Sequence, residues 1–257
     1  MRGIVALNLW QFALVYLLLL IILAVMKKCR ISQTKLLFAA SVRMTVQLAL
    51  AGLILTYIFE NPHPIFTVGY VACMTAFAIY RVFSRNAWLS PKFKAAIGVS
   101  LAGAGLSVIV FFVVAVVGES VFNPQYVIPL SGMMMGNAMT GVSLGIKTFH
   151  ESFDAERARR ETLLNLGVAP KKILLPLVNR ALETALLPTL NSMLGMGIVS
   201  LPGMMTGQIL SGTLPTTAIL YQIAIMIAIC TVVCLSVFGA LTLGYPTLYN
   251  EKNQFID

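Results

Sequence analysis

The sequence predicts an all-α polytopic membrane protein, and three observations support this class. Apolar residues make up 58% of the 257 residues and charged residues only 11%, whereas a soluble domain carries about 25% charged residues. Apolar runs long enough to cross a bilayer recur along the chain, and Lys and Arg concentrate in every second link between them. These loops account for the net charge of +9, so we expect no nucleic-acid partner.

The apolar runs predict a single transmembrane domain over residues 1–257. A membrane span needs about 20 mostly apolar residues, which gives about seven spans, at about 4–26, 36–58, 65–83, 95–117, 125–147, 185–210 and 216–243. The run within residues 1–26 is too long for a signal-peptide core and has no small-residue cleavage site, so we expect the first helix to remain in the membrane.

The charges in the links predict the orientation. The links at 27–35, 84–94 and 148–184 carry most of the Lys and Arg residues, whereas the links at 60–64, 118–125 and 211–217 carry none. Because positive loops stay on the cytoplasmic side, the N-terminus is expected outside and the C-terminal YNEKNQFID in the cytoplasm. The only long link, 148–184, is then cytoplasmic.

The long link predicts a surface helix over residues 151–166 followed by a sharp turn, as the cytoplasmic coupling helix at about 151–170. Acidic residues dominate the start of the helix, which suits a helix N-terminus. Gly167 fits the residue after a helix end, and Pro170 fits the first turn of the next helix. Such a helix can lie on the lipid interface or insert into a groove of a soluble protein. The mixed charges of Glu156, Arg157 and Arg160 favour the protein groove over anionic lipid.

The spacing of Glu161, Gly167 and Pro170 resembles the EAA-type coupling loop of ABC transporter permeases. Thr162 and Leu163 replace the alanines of that loop. Three longer stretches resemble the FetB-type family: IPLSGMMMGNAMTGVSLGI at 128–146, LGVAPKKILLPLVNRALETALLPTLNSM at 166–193 and GIVSLPGMMTGQILSG at 197–212. That family comprises membrane subunits of a bacterial iron-export ABC transporter, and plant aluminium-tolerance permeases are related to it.

The resemblance implies a permease subunit in the bacterial inner membrane. It implies a homodimer, a separate cytoplasmic ATPase that holds ATP and Mg²⁺, and outward transport of iron or another metal. The chain itself has no P-loop, because Ile146 separates Gly145 from Lys147 in GVSLGIKT. We expect ATPase coupling through Glu156, Arg160, Glu161, Leu164, Gly167 and Pro170.

The predicted sixth span contains a break, because Pro202 removes a backbone donor and Gly203 follows it. Freed carbonyls in lipid are costly unless protein or water satisfies them, so this stretch is expected to face a cavity or another helix. The glycine pairs 132/136, 141/145 and 203/207 fit close helix packing. The predicted translocation path or gate comprises Pro202, Gly203, Met204, Met205, Met134, Asn137, Arg43 and Gln47. For Arg43 an interfacial anchor stays open, and for Asn137 a bond between helices.

The sequence predicts no tight metal site, and the metal ligands stay unknown. Cys230 and Cys234 share a helix face, where they pack as small apolar residues or hold a soft metal.

Two other classes of membrane protein fit the sequence less well. A membrane-embedded enzyme requires a catalytic pair inside a span, which the sequence lacks. An ATP-independent carrier often has matching broken helices in both halves, whereas here the Pro/Gly break has no counterpart in the first four spans. An ABC permease for a non-metal solute also stays open.

Overall fold

The computed structural model describes residues 8–86, 88–250 and 254–255. The first residues of the predicted span 4–26 and parts of the C-terminal segment lie outside this range. The described chain is built from ten α-helices, which are α1 Leu9–Val15, α2 Leu17–Lys28, α3 Thr34–Glu60, α4 Pro64–Arg85, α5 Pro91–Phe111, α6 Pro124–Ala155, α7 Arg157–Asn165, α8 Pro170–Gly195, α9 Gly203–Leu210 and α10 Pro215–Gly244. A π-helical turn, Phe112–Val117, extends α5, and a 3₁₀ turn, Tyr245–Leu248, follows α10. Besides these helices the described part contains only isolated β-bridges. The all-α class is confirmed.

Six segments among the described residues are long and apolar enough to cross a membrane. They are Trp10–Lys28, Thr34–Glu60, Pro64–Arg85, Pro91–Val117, Pro170–Gly195 and Pro215–Leu248. The chain is therefore a multi-pass membrane protein. At 32 residues α6 has the length of a span, but its glycines and polar side chains make it less apolar than these six. The count of seven spans stays a prediction.

The core of the bundle lies between α4, α5, α6, α8 and α10, with α10 in contact with α5, α6, α8 and α9. Close packing of α6 on α10 depends on two glycines. A Cβ at Gly141 would come within 2.6 Å of a Val233 methyl, and one at Gly145 within 2.9 Å of Val237. Of the three predicted glycine pairs, 141/145 is thus a packing pair within this chain. A Cβ at Gly136, Gly203 or Gly207 would meet nothing within 4 Å.

The first three helices lie at the edge of this bundle. No described side chain of α2 is buried, and on α3 only Ser41 and Ile58 are. A hydrogen bond between the hydroxyls of Tyr16 and Thr45 joins the first span to α3. These helices therefore present long apolar side chains to their surroundings, as a bilayer requires.

The predicted sixth span at 185–210 is wrong, because these residues do not form one helix. The helix long and apolar enough to cross a membrane is α8, which begins at Pro170 and ends at Gly195, where Gly197 turns the chain with a φ of 83°. Residues 196–202 are not helical, and Pro202 caps the short helix α9 rather than kinking a long one. The charged residues Lys171, Lys172, Arg180 and Glu183 lower the hydropathy of the first half of α8, so the sequence did not show that the helix begins at Pro170.

The two ends of the bundle differ in charge. Trp88, in the link after α4, stacks on His150 near the end of α6, with ring centroids 3.9 Å apart. The basic α4–α5 link and the basic α6–α8 link therefore close at the same end, which we call the elbow end. At the opposite end the Thr67 hydroxyl of α4 donates to the Phe122 carbonyl at 3.0 Å, beside links without Lys or Arg.

Candidate functional site

The predicted coupling segment forms an elbow, defined here as residues 156–170. Helix α6 ends at Ala155, Glu156 breaks the helix, and α7 runs from Arg157 to Asn165. The prediction of one helix beginning at residue 151 is therefore wrong, since residues 151–155 continue α6. Glu156 leaves the helical conformation, with φ −96° and ψ 21°.

A glycine-dependent turn closes the elbow. The Gly167 amide donates to the Leu164 carbonyl at 2.9 Å, and the Val168 amide donates to the Leu163 carbonyl at 3.0 Å. With a φ of 80° at Gly167, this is the Schellman arrangement that satisfies the last carbonyls of a helix. Pro170 then occupies the first turn of α8. The predicted positions of Gly167 after a helix end and of Pro170 in the first turn of the next helix are confirmed.

The charged side chains of α7 pair with one another and leave its outer surface polar. Arg157 Nε donates to the Glu161 carboxylate at 3.0 Å, and an Arg159 guanidinium nitrogen donates to the Glu156 carboxylate at 2.9 Å. Such exposed pairs contribute only about 0.2–1 kcal/mol each. Their effect is to fix the pattern of charge that the helix presents to solvent.

Arg160 is an exception, because it is only 6% exposed. Its guanidinium lies 3.4 Å from the ring centre of Phe153 on α6 and 4.9 Å from that of Phe255 in the C-terminal segment. A bridge between Tyr249 and Phe255 folds that segment back toward the bundle. Arg160 therefore joins α6, α7 and the C-terminal segment.

Apolar side chains and a cleft flank the elbow. Leu164 is half-buried, whereas Leu166 is 74% exposed. A cleft of about 760 Å³ lies beside the elbow, and its lining includes Trp88, His150 and Arg157. The elbow end therefore offers a charged helix, an exposed leucine and a cleft.

The predicted gate residues Pro202, Gly203, Met204 and Met205 lie at the other end of the bundle. Helix α8 has 26 residues and is about 39 Å long at about 1.5 Å per residue, which separates them from the elbow. Met205 is buried and Met204 half-buried where α9 packs on the core. The Pro202 carbonyl accepts from the Thr206 amide at 2.9 Å, so it begins the hydrogen bonding of α9.

The other predicted path residues do not come together. Met134 is fully buried in the core, which leaves it no place on a path surface in this conformation. Arg43 on α3 lies 5.8 Å from the ring centre of Phe77 on α4, and Gln47 is exposed one turn further along α3. Asn137 is exposed on α6, and its amide nitrogen donates to the Met133 carbonyl at 2.8 Å.

Asn137 lines a small cleft between α6 and α8, which we call the neutral cleft. Its volume is about 90 Å³, and it is lined by Asn137, Thr140, Gly141, Leu144, Ala185, Pro188, Thr189, Ser192 and Met226. A second cleft of about 380 Å³, the basic vestibule, is lined by Arg85, Asn86, Thr140, Ser143, Leu144 and Lys147. The two clefts share Thr140 and Leu144.

Sequence reasoning missed most of these lining residues, although α6 carried a signal. Asn137, Thr140, Ser143 and Lys147 recur three to four positions apart, which places them on one helix face. The lining residues that α8 supplies show no such period in the sequence, because they reach the cleft only through the packing of α8 on α6.

The described residues contain no group of three or more His, Cys, Asp or Glu side chains that could hold a metal ion. His150 stacks on Trp88 and lies 3.5 Å from Asp154. The other histidine, His63, accepts from the Ile65 amide at the start of α4. Cys230 and Cys234 are free thiols on α10.

Comparison with known proteins identifies the family. The model of an uncharacterised protein family, UPF0014, matches residues 9–249. The chain belongs to the UPF0014 family. No solved structure matches this UPF0014 protein.

Relatives of this UPF0014 protein occur in bacteria and plants. It is 30% identical over 246 residues to the probable iron export permease protein FetB of Escherichia coli, covering 96% of this chain and 94% of FetB. It is 30% identical over 250 residues to the UPF0014 membrane protein YjkA of Bacillus subtilis, covering 95% and 96%. It is 31% identical over 242 residues to the protein ALUMINUM SENSITIVE 3 of Arabidopsis thaliana, covering 94% and 87%. The family predicted from the sequence is confirmed.

Proposed function

We propose that this chain is the membrane subunit of an ATP-binding cassette exporter that moves iron or another metal out of a bacterial cytoplasm. It works as a homodimer in the inner membrane, paired with a separate ATPase that binds ATP and Mg²⁺. The observation that carries the proposal is the elbow, a short charged helix held between two long helices by the turn at Gly167. The name of FetB, a probable iron export permease, supports the substrate and the direction.

The elbow has the features of a helix that docks into a groove. Glu161 and Arg159 are exposed on α7, and Leu166 projects from its end. Because the basic links gather at this end, the positive-inside rule favours a cytoplasmic elbow. A cytoplasmic ATPase could then reach it. ATP binding would move the bundle by stabilising one arrangement of the elbow over another.

The exposed polar residues on α6 and α8 support a partner copy. Asn137, Thr140 and Ser192 are exposed on faces that would otherwise meet lipid. Polar side chains in hydrocarbon are costly unless protein or water covers them. A second copy facing this surface would enclose a path between the two chains.

Copurification tests the coupling. A tagged chain expressed with the ATPase subunit from its own genome is expected to bring down that ATPase in equal amount. Glu161→Lys places a positive charge beside Arg157 on the docking surface and is expected to release the ATPase and abolish transport. The matched control is Glu60→Lys, at the exposed end of α3, where binding and transport should be unchanged. An ATPase retained with full activity in Glu161→Lys would contradict the docking role of α7.

Labelling tests the orientation. On a cysteine-free background, Arg159→Cys on the elbow should react with a membrane-impermeant thiol reagent only in inverted vesicles. Ser211→Cys, after α9 at the opposite end, should react only in intact cells. The reverse pattern would place the elbow outside and remove the proposal.

A further inference from the structure

The basic vestibule and the neutral cleft form one continuous surface along α6. The vestibule lies at the elbow end, between the end of α4 and α6, and the neutral cleft lies further along α6 against α8. Thr140 and Leu144 line both. The two clefts are therefore neighbours along α6, and a solute in the vestibule lies beside the neutral cleft.

The vestibule is positive. Arg85 and Lys147 line it, and its lining contains no carboxylate. The Lys147 ammonium lies 3.7 Å from the Glu151 carboxylate, but both side chains are more than 60% exposed, so solvent screens that pair strongly. With Glu151 counted, Arg85 and Lys147 still leave an excess of positive charge here, which raises the local concentration of anions and disfavours a bare divalent cation.

The neutral cleft is uncharged and rich in hydrogen-bond acceptors. The Thr140 hydroxyl donates to the Gly136 carbonyl at 3.0 Å, and the Ser192 hydroxyl donates to the Pro188 carbonyl at 2.9 Å. Their hydrogens are thereby occupied, and the oxygen lone pairs remain available. Pro188 has no amide hydrogen, so the backbone carbonyl one turn earlier in α8 lacks its helical hydrogen bond and is a further acceptor. This cleft suits hydroxyl groups or metal-bound waters, which donate hydrogen bonds, better than further negative charge.

We propose that the substrate enters as an anionic, hydroxyl-bearing metal chelate, such as iron held by a hydroxycarboxylate, rather than as a bare cation. Its carboxylates meet Arg85 and Lys147, and its hydroxyl or water ligands meet Asn137, Thr140 and Ser192. The inference rests on the proposed export function and adds the chemical form of the substrate. It also explains how a chain whose described part lacks a carboxylate–histidine cage can carry a metal, because the chelator supplies the ligands.

Transport into vesicles tests the form of the substrate. The permease and its ATPase are reconstituted in phosphatidylcholine vesicles with the elbow outward, and ATP-driven uptake of ferric citrate is compared with that of Fe²⁺ kept free by ascorbate. Arg85→Gln combined with Lys147→Gln is expected to raise KM for ferric citrate roughly tenfold with little change in kcat, because two partly screened charges are lost. Arg85→Lys keeps the charge and should stay close to the unaltered protein. Lys92→Gln, an exposed cation on neighbouring α5, is the matched control.

A second pair of variants tests the neutral cleft. Asn137→Leu should slow ferric citrate uptake, because it removes an acceptor from the cleft. Thr231→Val on α10 should leave uptake unchanged. The Thr231 hydroxyl is exposed, lies outside both clefts and donates a hydrogen bond of 2.8 Å to a carbonyl of its own helix.

The possible results separate the two proposals. Uptake of free Fe²⁺ that matches ferric citrate and ignores Arg85 would overturn the chelate inference while leaving the export function intact. No ATP-driven uptake of either form by the unaltered complex would contradict the export function itself. If the Arg85 and Lys147 effect requires anionic phosphatidylglycerol in the vesicles, the vestibule binds lipid headgroups and the inference is overturned.

Discussion

The turn at Gly167 allows the coupling role of the elbow to be tested by a graded series of substitutions. Its φ is 80°, and a Cβ added there would meet nothing within 4 Å. The whole cost of an alanine is therefore conformational, about 1–2 kcal/mol for an L-residue in the left-handed region. Asn tolerates this region better than Ala, whereas Pro cannot enter it, since its φ is fixed near −65°. Pro also removes the amide that bonds the Leu164 carbonyl at 2.9 Å.

Coupling between ATP hydrolysis and transport is expected to decrease in the order Gly, Asn, Ala, Pro at position 167. A penalty of about 1.4 kcal/mol reduces the population of the native turn tenfold relative to alternatives, so Gly167→Ala should lower transport-coupled ATP hydrolysis several-fold. Gly167→Asn should lower it less, and Gly167→Pro should abolish it. The assay measures ATP hydrolysis and ATPase retention with the complex in lipid nanodiscs.

A second glycine provides the matched control. Gly118 has a φ of 77°, also with open space around its Cβ position, but it lies in the link before α6 at the opposite end of the bundle. Gly118→Ala carries the same backbone penalty and should leave coupling intact. Equal coupling in the Gly, Asn and Ala forms at position 167, or equal losses at 118 and 167, would refute the reasoning.

Three further variants probe packing, the elbow clamp and the capping proline. Gly141→Ala puts a methyl against a valine of α10 and should destabilise the bundle by about 1–3 kcal/mol in thermal unfolding; Gly136→Ala, with open space, should not. Phe255→Ala removes one of two rings from Arg160, worth about 0.5–2 kcal/mol, and should weaken ATPase coupling without lowering membrane insertion. Pro202→Ser keeps the helix start and adds a capping hydroxyl, so the melting temperature and transport should be unchanged or slightly raised; a loss of transport would restore a gating role for the proline.

Local signals predicted the elbow well because its chemistry is local. Gly167 and Pro170 are single residues whose backbone preferences fix a turn and a helix start, and both positions are as predicted. The spans at 36–58 and 216–243 also correspond closely to α3 and α10, since a long apolar run in lipid has few alternatives to helix.

The sixth span failed for the opposite reason. Pro176 and Pro188 lie inside α8, whereas Pro202 caps α9, and composition alone does not distinguish a proline within a helix from one at its start. A proline is tolerated within a membrane helix when neighbouring groups satisfy the freed carbonyl. That depends on tertiary contacts, such as the burial of Ala181 and Ala185 in the core, which no window of sequence contains.

The lining of the two clefts also depends on tertiary contacts that the sequence does not show directly. Asn137 was recognised as a polar residue within a span, and the helical period would have added Thr140, Ser143 and Lys147 from α6 alone. Ser192 could not be found in this way, because it reaches the neutral cleft only through the antiparallel packing of α8 on α6. That packing is set by Gly145, whose missing side chain brings the Ala185 methyl within 3.4 Å of its Cβ position.

Helix α8 therefore joins the two parts of the candidate site. It begins at Pro170, directly after the elbow turn, and its last turns carry Pro188 and Ser192 in the lining of the neutral cleft. Backbone hydrogen bonds run along its length and are interrupted only where a proline lacks an amide hydrogen. A helix bends at such points rather than between them. A change in the direction of α8 at the elbow can therefore reach the neutral cleft along this helix, and Pro188 lies in the lining of that cleft.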